Sequence, residues 1–256
     1  MSWIAGLVAI GAGMLVVSQA ASNGSQKVKP YESGIAWVEP KMVTPGTNGS
    51  PPSDAVILFD GKNMDAWKVG TNKWILENGY GIAKSDASTK QKFGDCQLHV
   101  EFASPKVVRG SGQGRGNNGI GFGDGRYEIQ VLDSWHNPTY FDGQCAAIYK
   151  QHPPLVNASL PPGEWQTYDI VFEQPRFEGD KLTRPAFATV MHNGLLVQNH
   201  VELIGDTPYD RVPKFTPHPE KMPLKLMYHG NPVQFRNIWI REIKELDHKK
   251  EEKKDS

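Results

Sequence analysis

The amino-acid sequence predicts an all-β protein, a two-sheet antiparallel sandwich of jelly-roll type. Three observations carry this. Short runs rich in β-branched and aromatic residues recur along the chain. Turn residues separate them, with 26 Gly and 19 Pro among 256 residues. No segment sustains an apolar period of 3.6 residues, so helices are not expected.

The chain opens without charged side chains through Ala21, and an apolar run over 4–17 precedes Ser18-Gln19-Ala20. That small-x-small pattern predicts a secretory signal peptide over residues 1–21. An uncleaved anchor is the rival, because the stretch approaches the ~18 residues that span a bilayer. Export to a periplasmic or extracellular space is expected either way. Residues 22–53 are rich in Ser, Pro, Gly and Lys and predict a linker or a surface-hugging extension. The globular domain is expected over 54–243. The tail 244–256, KELDHKKEEKKDS, is too charged to pack and is expected to be disordered.

Inside the domain, strands are expected at 55–59, 96–102, 127–133, 165–172, 187–192, 195–201, 224–228 and 233–240. Asn193-Gly194 marks a tight hairpin between two of them. Residues 96–102 alternate, with Cys96, Leu98, Val100 and Phe102 on one face, so Cys96 reads as a small buried hydrophobe. Two cysteines cannot form a disulfide framework, and no zinc spacing exists. Trp165 and Trp239 alternate with apolar partners and are expected in the core. The 28 basic residues balance the 28 acidic ones, which gives no electrostatic reason for a nucleic acid or anionic membrane partner.

The Gly-rich segment 109–126 contains Gly114-Arg-Gly116-Asn-Asn-Gly119, a literal GxGxxG. A dinucleotide fingerprint needs a strand before it and a helix after it. Here a strand follows, so a long loop lining a cleft is the expectation. That strand, Tyr127-Glu-Ile-Gln-Val-Leu-Asp133, carries two carboxylates and an amide. Alternation puts Glu128 and Gln130 on one face, and Asp133 joins them only through a bulge. Such a set suits proton transfer on a sugar. The bland alternative is a solvated strand, with Glu128 in an ion pair to Arg126 or Arg236.

Eight segments in order carry a resemblance: LFDGKNMDAW, FGDCQLHVEF, GQGRGNNG, GRYEIQVLDS, TYFDGQCAAIY, PPGEWQTYDIVFE, HNGLLVQNHVEL and HGNPVQFRNIWIR. Over about residues 53–241 the chain resembles the 3-keto-disaccharide hydrolase family. The resemblance implies a concanavalin A-like jelly roll, related in shape to laminarinase-type glucanases. It also implies exported bacterial proteins acting on oxidised glycosides. Glu128, Gln130 and Asp133 repeat the spacing of the glucanase E-x-D-x-x-E signature with the middle carboxylate lost. That points away from a retaining glycosidase, whose two carboxyls stand about 5 Å apart, and towards proton abstraction beside a keto group.

Glu128 is then the expected base or acid. Asp133, His229 and His136 are further catalytic candidates. Gln130, Trp135, Tyr140, Gln144 and Arg236 are expected to bind substrate, with Tyr149 a weaker lining candidate. Family members often carry Asp where Tyr228 precedes His229-Gly-Asn. No cofactor and no catalytic metal are expected, although Asp60, Asp124 and Asp142 beside turn glycines leave room for a structural calcium. The expected function is an exported hydrolase or lyase cleaving the glycosidic bond of 3-keto-glycosides or related sugars. A carbohydrate is the expected partner, with no membrane contact beyond an N-terminal anchor. The rivals are a lectin-like module without catalysis and a cell-envelope interaction domain.

Overall fold

The computed structural model describes Tyr31 and residues 33–244. The expected leader, and the tail beyond Lys244, lie outside the described residues. Residues 40–244 form the first of two compact units. All the strands described below belong to the first.

Fifteen strands are described. They are β1 (Val56–Phe59), β2 (Trp67–Val69), β3 (Ile75–Glu77), β4 (Tyr80–Ile82), β5 (Ala87–Phe93), β6 (Cys96–Ala103), β7 (Asn118–Phe122) and β8 (Tyr127–Val131). Then follow β9 (Gln166–Glu173), β10 (Arg176–Glu178), β11 (Lys181–Arg184), β12 (Phe187–His192), β13 (Leu195–Glu202), β14 (Met222–Tyr228) and β15 (Gln234–Glu242). The described helices are two short 3-10 turns, and none is long and apolar enough to cross a membrane.

An eight-stranded sheet runs β13-β12-β9-β6-β15-β4-β3, with β1 also pairing β15. A five-stranded sheet runs β2-β5-β14-β7-β8, and β10 with β11 forms a small ribbon. Sequence-adjacent strands such as β5 and β6 enter different sheets, as a jelly roll requires. The sheets close on each other through their apolar faces. Phe122 of β7 stacks on Phe172 of β9 with centroids 4.1 Å apart. Leu98, Ile120, Ile129, Ile170 and Leu226 fill the same layer, all buried.

Strand β7 corrects the expectation of a loop over 109–126. Its sequence NGIGF offers too few side chains to read as a strand, yet Ile120 and Phe122 turn inwards and are buried. Both cysteines are free and buried, and burial pushes the Cys96 thiol upwards. Trp239 is buried, but not between the sheets. It lies on the outer face of the large sheet, where its indole N–H donates to the Gly49 carbonyl at 2.9 Å. Asn237 donates to the same oxygen, so the segment around Gly49 straps that face. Trp165 is on the outer face too, half-buried, with the Arg236 guanidinium 4.1 Å above its ring.

Phe172 carries the inter-sheet stack. Phe172→Ala should lower unfolding free energy by about 3–5 kcal/mol, read as a lower urea midpoint at an unchanged slope.

Candidate active site

The outer face of the five-stranded sheet holds the site. Alternation along β8 buries Tyr127, Ile129 and Val131 in the core and turns Glu128 and Gln130 outwards. On β7 the outward positions are Gly119 and Gly121, paired with Gln130 and Glu128. On β14 they are Lys225 and Met227, paired with Gly121 and Gly119. The glycines leave a trough between two rows of side chains. A Cβ at Gly119 would stand 2.2 Å from Glu128 Oε1. Glycine there is what lets the carboxylate lie across its neighbouring strand.

Glu128 is 4 % exposed, a burial that costs free energy unless the carboxylate is hydrogen-bonded. His229, directly after β14, places Nε2 3.1 Å from Glu128 Oε1. That hydrogen bond holds the His229 pKa above its ordinary value of 6.5, against the opposing pull of burial. Asp86 adds a smaller pull in the same direction, and its carboxylate accepts the backbone N–H of Tyr228. The Gln130 carboxamide lies 3.3 Å from Glu128 Oε1 and 2.8 Å from the Asn118 carbonyl. In the orientation that suits both acceptors, its amide nitrogen donates to each.

Strand β8 is an edge, and a loop covers it. Gln130 N–H donates to the Ala147 carbonyl, Ala146 N–H to Gln130, and Tyr149 N–H to Glu128. Ala146 adopts φ +68 to do so, a conformation unusual for a residue with a Cβ. The same loop supplies the aromatic wall. Tyr140 and Tyr149 share a hydroxyl–hydroxyl hydrogen bond of 2.8 Å. Burial raises the pKa of both phenols, so they act as neutral donors. Gln113, Asn117, Thr207, Tyr209 and Met227 complete the lining. Thr207 Oγ1 accepts the Glu128 backbone N–H at 2.9 Å. The cleft encloses about 310 Å³.

Of the nine expected site residues, the structure gathers Glu128, Gln130, Tyr140 and His229 in this cleft, together with Tyr149. Asp133 is a correction. The pairing of β7 with β8 ends at Val131, and beyond it Leu132 is buried in the core while Asp133 lines a neighbouring cavity and not the cleft. Asp133 is buried in an ion pair with Arg115 Nε at 2.6 Å. Arg236 is a second correction. It stands on the other sheet, its Nε 2.6 Å from Glu101. Asn237, the next residue, reaches the same carboxylate at 2.7 Å, because its φ of +45 and a register shift break the alternation there. Trp135 and His136 are exposed, pack edge-to-face on each other and do not line the cleft. Gln144 caps a 3-10 turn through its backbone and does not line it either. Glu128 makes neither of the expected arginine pairs; its partner is His229.

The three calcium candidates do not converge. Asp60 pairs with Lys62 at 2.8 Å, Asp124 accepts from Ser88, and the Asp142 carbonyl takes Lys150 N–H. Among the described residues no group of three or more His, Cys, Asp or Glu is placed to hold a metal ion. The expectations missed Gln113, Asn117, Thr207, Tyr209 and Met227. The first two sit in the Gly-rich segment already singled out. The residues around Thr207 and Tyr209 carry no pattern that could have announced them.

Comparison with known proteins decides the family. The 3-keto-alpha-glucoside-1,2-lyase-like domain matches residues 54–241. The chain belongs to this family. A candidate glycosyl hydrolase of Parabacteroides distasonis ATCC 8503 is 41 % identical, with 86 % of this chain and 99 % of that one covered and a TM-score of 0.80. A second candidate glycosyl hydrolase of that organism is 17 % identical, with 75 % of this chain and 94 % of that one covered and a TM-score of 0.56. It shares the fold. No curated protein matches the chain. The expected family and sandwich fold therefore hold, and the 3-keto-glucoside lyase-like domain is a carbohydrate-active one.

Because Glu128 favours the imidazolium, His229 should titrate above 6.5 by NMR and fall back in Glu128→Gln. The pair should also set a pH-dependent stability. Its contribution, taken as wild type minus His229→Gln, should be full below about pH 6.5, the unfolded value. It should fade as pH rises through the raised folded value.

Proposed function

We propose that this protein cleaves the glycosidic bond of 3-keto-glucosides by elimination, with Glu128 removing the C2 proton. The observation that carries the proposal is the Glu128–His229 contact of 3.1 Å in a cleft where Glu128 is the one carboxylate among the described lining residues. A glycosidase of the ordinary kind needs two carboxyls flanking the bond. Elimination needs one base, one acid and donors to an oxyanion.

The chemistry follows from the keto group. A carbonyl at C3 acidifies the hydrogen on C2. Glu128 accepts that proton through the oxygen His229 leaves free. The C–H electron pair becomes the C1=C2 bond, and the bond from C1 to the leaving oxygen breaks. The His229 imidazolium gives its proton to that oxygen. Water then adds across the double bond, hydroxyl to C1 and hydrogen to C2, which makes the net reaction a hydrolysis. Whichever of the Tyr140 and Tyr149 hydroxyls is not donating to the other, and the second N–H of the Asn117 amide, line the same space and can donate to the oxyanion at C3. The volume lies at the small end of the range for small-molecule sites, about 300–1,000 Å³, which suits one sugar ring. The uncharged N-terminal stretch supports export of the enzyme.

Glu128→Gln should lower turnover of a 3-keto-α-glucoside by about 10²–10⁴-fold while the protein stays folded, as read by circular dichroism. The parent glucoside, lacking the carbonyl, should resist the wild-type protein. Undiminished turnover in the variant would sink the proposal, and sugar binding without turnover by the wild type would support the lectin-like alternative.

A further inference from the structure

A second cavity of about 480 Å³ adjoins the cleft. The two share a wall. Gly114, Arg115 and Gly116 line the second cavity, while Gln113 and Asn117 on either side of them line the first. In the same way Gly230 and Asn231 face the second cavity, and His229 the first. The Gly116 N–H donates to Asn231 Oδ1 at 3.0 Å and closes this wall. A sugar ring held against Glu128 and His229 is thus one residue's span from the second cavity.

The chemistry of the two spaces differs. Tyrosines wall the first, but no aromatic side chain lines the second. Pro105, Val107, Val108 and Pro232 give it an apolar face. Val107 is 70 % and Val108 48 % exposed, so this face waits uncovered in water. Its polar groups are largely spent on each other. Arg115 is held by buried Asp133. Asn231 accepts from Gly116 and donates to the His229 carbonyl at 3.2 Å. Arg109 is the exception, an exposed guanidinium with no hydrogen-bond or ion-pair partner among the described residues.

We propose that this cavity is the leaving-group subsite and that it takes an apolar aglycone ending in an anionic group, with Arg109 as the anion's partner. The inference rests on the elimination chemistry of the Glu128 cleft. A second sugar would bring a ring of hydroxyls to a wall whose donors and acceptors are already paired, and unmet buried hydroxyls cost affinity. An aryl or alkyl group instead covers Val107 and Val108. A carboxylate or sulfate at its far end gains a charge-assisted hydrogen bond.

The test uses three substrates with one anomeric configuration: phenyl 3-keto-α-glucoside, its 4-(carboxymethyl)phenyl analogue, and a 3-keto-α-linked diglucoside. The carboxymethyl group sits one carbon from the ring, so the two phenols leave with similar ease. Wild-type kcat/KM should favour the carboxylate-bearing substrate by about fivefold at low salt, and added salt should narrow that preference. Arg109→Ala should erase it and leave the phenyl substrate within twofold. Arg109→Lys should restore part of it. Binding to Glu128→Gln, followed by calorimetry, should rank the diglucoside weakest. The subsite assignment is overturned if Arg109→Ala changes both aryl substrates equally or neither, or if the diglucoside binds tightest. Failure of the wild type to turn over any of the three would defeat the elimination chemistry itself, and the subsite with it.

Discussion

The hydrogen bond between Glu128 and His229 is the interaction on which the site depends, and a missing Cβ makes room for it. A carboxylate cannot be taken out of water at this position without a partner. The partner comes from the turn after β14, two strands away from β8 in the sheet. To meet it, the Glu128 side chain must run across β7, and it does so over Gly119. A single glycine therefore sets the height of the carboxylate, and the order β14-β7-β8 sets the direction in which it reaches. The edge of β8 could have been left free to slip or to pair elsewhere. The loop through Ala146 and Tyr149 pins it and brings the two tyrosines to the opposite wall.

The two sheets divide the work. Both contribute to the apolar layer around Phe122 and Phe172, but their outer faces differ. On the larger sheet the outward polar residues are committed to one another. His99 lies 2.7 Å from Asp169 and stacks on Trp239, Arg236 and Asn237 share Glu101, and the strap at Gly49 covers part of them. The smaller sheet carries glycines where the larger carries side chains. That asymmetry leaves room on the smaller sheet for the Glu128 side chain to cross a neighbouring strand and meet His229.

The fold was legible because alternation survives in strands such as 96–102 and because Asn193-Gly194 fixes a hairpin. Glu128 and Gln130 were legible for the same reason, since a period of two put them on one face without help from tertiary structure. His229 was named, but its contact with Glu128 was not, because a pairing across three strands leaves no local trace. Asp133 and Arg236 went wrong where local periodicity fails. Asp133 falls beyond the end of β8, and Arg236 belongs to a strand whose sheet partner the sequence does not specify. Strand β7 was hidden by its own function, since the glycines that shape the trough erase the strand signal.

The fate of the hydrogen on C2 tests the central claim most directly. A 3-keto-α-glucoside carrying deuterium at C2 would be turned over in ordinary water, and its product examined by mass spectrometry and NMR. Removal of that hydrogen by Glu128 predicts that the label passes to solvent faster than in the absence of protein, and that the deuterated substrate reacts more slowly than the unlabelled one. Product that keeps all its deuterium at C2, formed at the same rate as from unlabelled substrate, would contradict it and would require direct displacement at C1 instead.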